Sequence, residues 1–136
     1  VGVVPQLFMA SNRLGGVGGL DIYLATVPGG WFGPPLQIAE LNSPHADLTP
    51  TVSRTGLELV LASDRPGTLG GQDLWVATRK SLRRAWSAPR NLGALVNSTS
   101  VENFPALSAD GESLYFASSR TGGFGGMDLY LTTREQ

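Results

Sequence analysis

The 136-residue sequence contains no cysteine, a single histidine (His45) and few charges, 15% of the chain. Without cysteine there is no disulfide framework, thiolate metal site or Cys nucleophile. His45 has no partner at catalytic or metal-binding spacing and reads as a solvated loop residue. The formal net charge of -1 gives no long-range field for capturing nucleic acid or an anionic membrane, so nucleic acid is not an expected partner. No apolar run approaches the roughly 18 residues of a spanning helix, and neither a starting Met nor a signal peptide is present. Helix is expected to be scarce, because 18 Gly and 9 Pro punctuate the chain. That mixture suits short strands and tight turns, while 41% hydrophobic residues suffice for one domain with a real core.

What the sequence does have is one stretch written three times. It runs from Ser11 through Arg13, Gly18-Gly19 and Asp21; from Ser63 through Arg65, Gly70-Gly71 and Asp73; and from Ser118 through Arg120, Gly125-Gly126 and Asp128. In each copy an aliphatic-aromatic-aliphatic triplet follows the Asp. Self-similarity at a period near 50 residues, built from short strands and Gly turns, is the signature of a β-propeller or related array.

Each copy begins with an apolar strand (Leu7–Ser11, Leu59–Ser63, Leu114–Ser118), the first inside an apolar run starting at Val3. The Gly-rich loop then returns the chain to a second strand at Asp21–Thr26, Asp73–Thr78 or Asp128–Thr133. The first strands are apolar on both faces, as when sheets stack face to face. Beyond them, Trp31-Phe-Gly-Pro34 matches Trp86-Ser-Ala-Pro89, and Asn42-Ser43 matches Asn97-Ser98. An outer strand is expected around Gln37–Leu41 and Arg90–Leu95, and a short inner strand at Thr51–Ser53 and Ala106–Ser108. The periods are 52 and 55, with the difference placed between Thr26 and Trp31 against Thr78 and Trp86, an insertion confined to one loop.

Four strands per repeat is a propeller blade. The reading is all-β, with about three four-stranded antiparallel blades: a partial one over 1–46, a complete one over 47–101 and a partial one over 102–136. Propellers close with about 4 to 8 blades. Three blades, two of them incomplete, therefore form an open arc, either as part of a longer chain, which the start in mid-blade favours, or as half of a homodimer that closes six blades.

The pattern Pro105-x-Leu107-Ser108-x-Asp110-Gly111-x-x-Leu114-Tyr-Phe-Ala-Ser118-x-Arg120, continuing through the paired glycines to Asp128-Leu-Tyr, resembles the WD40-like repeat called PD40, or the TolB-type β-propeller repeat. The double Gly-Gly loop, the Trp-x-x-Pro segment and Asn-Ser are similar to the versions attached to OmpA-type outer-membrane proteins. Here Arg54-Thr-Gly56 replaces the usual Asp-Gly turn, and Pro66-Gly-Thr-Leu69 replaces the first Gly-Gly. The resemblance implies a periplasmic or surface-exposed protein-binding scaffold; related propellers also gate serine peptidases, and fold does not settle function.

Phosphate cradles need a helix after the Gly-rich loop, and here a strand follows each time. Chemistry needs a group once, whereas folding needs it in every blade, so Arg13, Arg65 and Arg120 and Asp21, Asp73 and Asp128 read as structural. Asp47 and Glu102 are metal candidates for a hard cation in a central channel, but two carboxylates fall short of the six or more oxygens calcium prefers. Pairing with a neighbouring blade's Arg is the favoured role for them. Ser11, Ser63 and Ser118 sit in no nucleophile elbow, so no catalytic residue and no cofactor is expected. Arg79, Lys80, Arg83 and Arg84, with Arg90 nearby, form the one dense basic patch, a solvated rim hairpin or a docking site for an acidic partner. Trp31, Trp75 and Trp86 suit packing between blades rather than stacking on sugars. The expectation is a non-enzymatic interaction scaffold, with a substrate-filtering propeller of a hydrolase and a carbohydrate-binding propeller as alternatives.

Overall fold

The computed structural model describes residues 4–135, so Val3 of the first apolar run lies outside the described residues. Ten strands follow in order: β1 (Gln6–Ser11), β2 (Asp21–Thr26), β3 (Leu36–Gln37), β4 (Asp47–Val52), β5 (Glu58–Ser63), β6 (Asp73–Thr78), β7 (Arg90–Asn91), β8 (Glu102–Leu107), β9 (Ser113–Ser118) and β10 (Asp128–Thr133). Helix is limited, among the described residues, to one 3-10 turn at Pro28–Gly30.

The strands form three antiparallel sheets in the orders β1-β2-β3, β4-β5-β6-β7 and β8-β9-β10. The middle sheet is a whole blade. The first has no inner strand and the third no outer strand among the described residues, so the array is open. Equivalent hairpins keep equivalent registers: Ser11 faces Asp21, Ser63 faces Asp73 and Ser118 faces Asp128.

Period-2 alternation explains the stacking. On one face of the middle hairpin, Leu59, Leu61, Trp75 and Ala77 meet Ile22, Ile38 and Leu41 of the first blade, with Phe8, Ala10 and Leu24 packed alongside. Its other face carries Val60, Ala62, Leu74 and Val76, which meet Leu114 and Phe116 of the third blade, with Tyr130 alongside. A strand segment buried on both faces has to be apolar at every position, and β5 is so from Leu59 to Ala62 and β6 from Leu74 to Ala77, with polar residues only at the strand ends.

Two features depart from the sequence reading. The inner strands are longer than Thr51–Ser53 and Ala106–Ser108, beginning at Asp47 and Glu102, because each carries a bulge, between Leu48 and Thr51 and between Asn103 and Ala106. Thr49 (φ 45°) and Phe104 (φ 53°) take the left-handed conformation there, each just before a proline, so Pro50 and Pro105 occupy the irregular part of the ladder where no strand N–H is needed. The outer strands are shorter than expected, two residues each, and pair Leu36 with Leu24 and Arg90 with Val76. That pairing makes Gln37 equivalent to Asn91, one residue off the register set by the Trp and Asn-Ser landmarks. The second copy recovers the residue at the turn through Gly93 (φ 84°).

Asparagine side chains take over where the outer strands stop. Asn42 Oδ1 accepts from the Ile22 amide at 2.6 Å while its Nδ2 donates to the Ile22 carbonyl at 3.0 Å. Asn97 does the same for Leu74 at 2.8 and 2.9 Å. Each side-chain amide acts as one more residue of strand.

Candidate functional site

The first buried polar cluster joins the blades. Asp47, fully buried at the start of β4, accepts from the hydroxyl of Ser63 (2.7 Å), the amide of Ser43 (2.6 Å) and Nη2 of Arg65. Arg65 also donates through Nη2 to the carbonyl of Leu41 (2.6 Å), tying its blade to the connector from the one before. Glu102 repeats the set with the hydroxyl of Ser118 (2.7 Å), the amide of Ser98 (2.9 Å) and Arg120, which reaches the carbonyl of Val96 (2.6 Å). The partner Arg belongs to the same blade as each acid, not to the neighbouring one. Burial alone would raise the pKa of Glu102, but the Ser98 hydroxyl and amide, the Ser118 hydroxyl and the Arg120 charge outweigh it, so the carboxyl titrates below its ordinary value of 4.5. These donors engage both acids, and no group of three or more acids and histidine that could hold a metal ion occurs among the described residues. Among the described residues Arg13 meets no inner-strand acid; it contacts Ser11 (3.0 Å) and lies over Tyr23 at 4.7 Å.

The Gly-rich loops are held from below by the motif aspartates. Asp21 accepts from the amides of Val17 and Gly18, Asp73 from Leu69 (2.7 Å) and Asp128 from Gly125 (3.2 Å). Gly18 and Gly70 are required by close approach, since a Cβ at either would collide with the backbone before the next inner strand, at Ser43 and His45 or at Thr99 and Ser100. Gly125 has no neighbour within 4 Å of the same point, and Gly19 and Gly126 are equally open. Gly71 is intermediate, with Val101 Cγ2 at 3.0 Å from a built Cβ.

The rim loop after β6 carries the basic residues, and Arg79 differs from the rest. It is buried, donates to the carbonyl of Gly56 (2.7 Å) and to Gln6 Oε1 (3.0 Å) of the first blade, and stacks over Trp86 at 4.3 Å. Burial lowers its pKa. Its repeat-mate Arg134 donates to the carbonyl of Gly111 (2.9 Å) and forks onto Glu58 of the middle blade at 2.8 and 2.9 Å, which raises its pKa despite some burial. Position 79 is therefore an inter-blade clamp. Lys80, Arg83 and Arg84 are exposed, and the described residues form no ion pair with them. Lys80 and Arg84 flank an open cleft of about 680 Å³ whose floor includes Ala85, Trp86 and Ser87.

The three tryptophans divide by neighbour. Trp75 and Trp86 are buried, Trp86 edge-on to Phe8 with ring centroids 6.0 Å apart. Trp31 is 84% exposed, with no blade on that side among the described residues. Sequence reasoning gave no role to Asn42, Asn97 and Arg134. Their signal was recurrence: the Asn precedes Ser in both connectors, and the Arg follows the last strand residue in two of three copies.

No family model matches the chain, and no curated protein matches it. Among solved structures it is similar to a protein from Agrobacterium tumefaciens described provisionally as TolB, with a TM-score of 0.62 and 19% identity over 94% of this chain. The chain spans 41% of that protein's length. At that identity the likeness is one of fold, and the fold is an open run of TolB-like β-propeller blades.

Proposed function

We propose that the chain is a non-enzymatic propeller segment that serves as a protein-binding scaffold at the periplasm or cell surface, and that it docks an acidic partner segment through the rim loop after β6. One observation carries the reading. The recurrent charged residues of the middle and third blades are engaged in internal bonds, while Lys80, Arg83 and Arg84 stand exposed on one loop, and Lys80 and Arg84 line the cleft that Trp86 also lines. Three exposed cations on one loop, two of them lining a cleft with Trp86, suit carboxylates interspersed with apolar or aromatic side chains. The TolB-like fold supports a scaffold role, since such folds present loops on a rigid array.

The test is fluorescence anisotropy with a labelled Glu/Asp-rich peptide containing one aromatic residue, at low and physiological salt. Binding should weaken with salt and fall at least tenfold in the triple variant K80E/R83E/R84E, with the unfolding midpoint unchanged. Equal binding by the triple variant would refute the assignment.

A further inference from the structure

We propose that the rim loop after β6 is a limited-proteolysis site, at which an endopeptidase of trypsin-class specificity severs the chain after Lys80, Arg83 or Arg84 and so switches off acidic docking without dismantling the blades. The switching half rests on the docking proposed for the same loop; the cleavage half stands on the loop's own geometry.

A trypsin-class enzyme takes a Lys or Arg side chain into an acidic pocket and hydrolyses the peptide bond that follows. The C–N bond breaks, the oxygen of water joins the carbonyl carbon to give a carboxylate, and both protons of that water end on the new ammonium. The substrate has to offer a basic side chain free to leave the surface, on backbone that can be drawn away from the body. Residues 80–85 are all exposed, and among the described residues they make one hydrogen bond, from the amide of Arg84 to the carbonyl of Ser81 at 3.1 Å. Leu82, resting over Gly56, is their further hold on the body.

The other arginines are withheld. Arg65 is buried on Asp47 and the Leu41 carbonyl, and Pro66 follows it; Arg79 is buried against Gly56, Gln6 and Trp86. Arg120 is held by Glu102 and the Val96 carbonyl, and Arg134 by Glu58. Arg90 lies in a strand, paired with Val76. Arg54 sits in a turn closed by the Gly56 amide on the Ser53 carbonyl at 2.8 Å. Arg13 opens a Gly-rich loop whose Val17 and Gly18 amides are fastened to Asp21.

A cut in the rim loop leaves both pieces tied together. Below it the amide of Ser87 donates to the carbonyl of Thr78 (2.7 Å), and the Thr78 amide donates to the Ser87 hydroxyl (3.0 Å). Beyond it Trp86 packs on Phe8, Asn97 clamps Leu74, and Val60, Leu74 and Val76 stay buried against Leu114 and Phe116. Each of the three cuts also places a new carboxylate on one of the loop's own cations, where a partner's acidic groups would lie.

The probe is trypsin at a low ratio to the whole chain. Intact-mass spectrometry locates the cut, size-exclusion chromatography and circular dichroism follow the pieces, and anisotropy with the Glu/Asp-rich peptide follows docking. The first cut is expected after residue 80, 83 or 84, with both pieces co-eluting, the strand signal kept and peptide affinity down at least tenfold. In K80Q/R83Q/R84Q the first cut should slow at least tenfold. First cleavage after Arg13 or Arg54, pieces that separate, or a nicked chain that binds as the parent does overturns the proposal. A chain that binds no acidic peptide before cleavage overturns the docking reading and the switch with it, while the masses still decide the cleavage site.

Discussion

Replacing Trp86 and Trp31 separately by Ala puts the neighbour-dependence of this fold to a quantitative test, because the two residues hold the same place in the repeat and opposite environments. Trp86 is 6% exposed and Trp31 84%. Burying a Trp removes about 200 Å² from water, and at about 25 cal/mol per Å² that is about 5 kcal/mol, an upper estimate because denatured chains are partly collapsed. Measured Trp-to-Ala losses of about 3–5 kcal/mol agree. The cation–π contact with Arg79 adds about 1 kcal/mol, partly regained when the freed guanidinium meets water. We therefore expect W86A to cost about 4 kcal/mol, a large share of a domain stability of about 5–15 kcal/mol. W31A, at an exposed site, should stay within about 0.5 kcal/mol of the parent. In urea, with a slope of about 2 kcal/mol per M, the midpoint of W86A moves down by about 2 M and that of W31A by no more than about 0.25 M. Far-UV circular dichroism reads both without relying on indole fluorescence. Comparable losses in the two variants would refute the reasoning, since they would mean that the residue's place in the repeat, and not the blade beside it, sets its contribution.

The glycine loops offer a second matched pair. Gly70→Ala drives a methyl into the backbone at Thr99 and Ser100, whereas Gly125→Ala meets open space, so thermal unfolding should show several degrees lost in the first and almost none in the second. Glu102 gives a pH dependence whose sign is set by its depressed pKa. Its contribution is present above the ordinary value of 4.5 and is lost as the pH falls through and below it. Urea midpoints measured from pH 7 to pH 3 should therefore drop less steeply in Glu102→Gln than in the parent, and the variant should start lower at neutral pH because Arg120 loses its charge partner.

The blade architecture was legible because a thrice-repeated string aligns itself, and because strands apolar on both faces have only one way to be buried. The inner strands were cut short for a physical reason. A proline reads as the end of a strand, yet Thr49 and Phe104 take up a left-handed bulge that lets Pro50 and Pro105 sit within it. The outer strands were read too long, since hydrogen bonds made by an asparagine side chain look in a sequence like a strand that continues. Arg79 was grouped with Lys80 by proximity along the chain, although its alignment with Arg134 was the better signal. Trp31 and Trp86 could not be separated from sequence at all, because what distinguishes them is which neighbouring blade lies among the described residues.

A repeat array places its architecture in what recurs, so its specificity has to lie in what does not. In the middle blade the recurring Ser63, Arg65, Asp73 and Asn97 are buried and used in joining strand to strand and blade to blade, and a partner gains no access to them without unpicking the array. Two departures from the repeat leave groups unused. The loop lengthened between Thr78 and Trp86 carries Lys80, Arg83 and Arg84 beyond the reach of any acid in the described residues. The change from an aromatic to Val60 opens a cleft that the first interface closes with an indole. One departure adds exposed charge and the other removes buried volume, so the two should respond independently to substitutions. A variant such as Val60→Phe, which restores the aromatic of the other copies, should narrow the cleft and leave the salt-dependent binding proposed for the rim loop as in the parent. If it changed both, the two surfaces would be parts of one site.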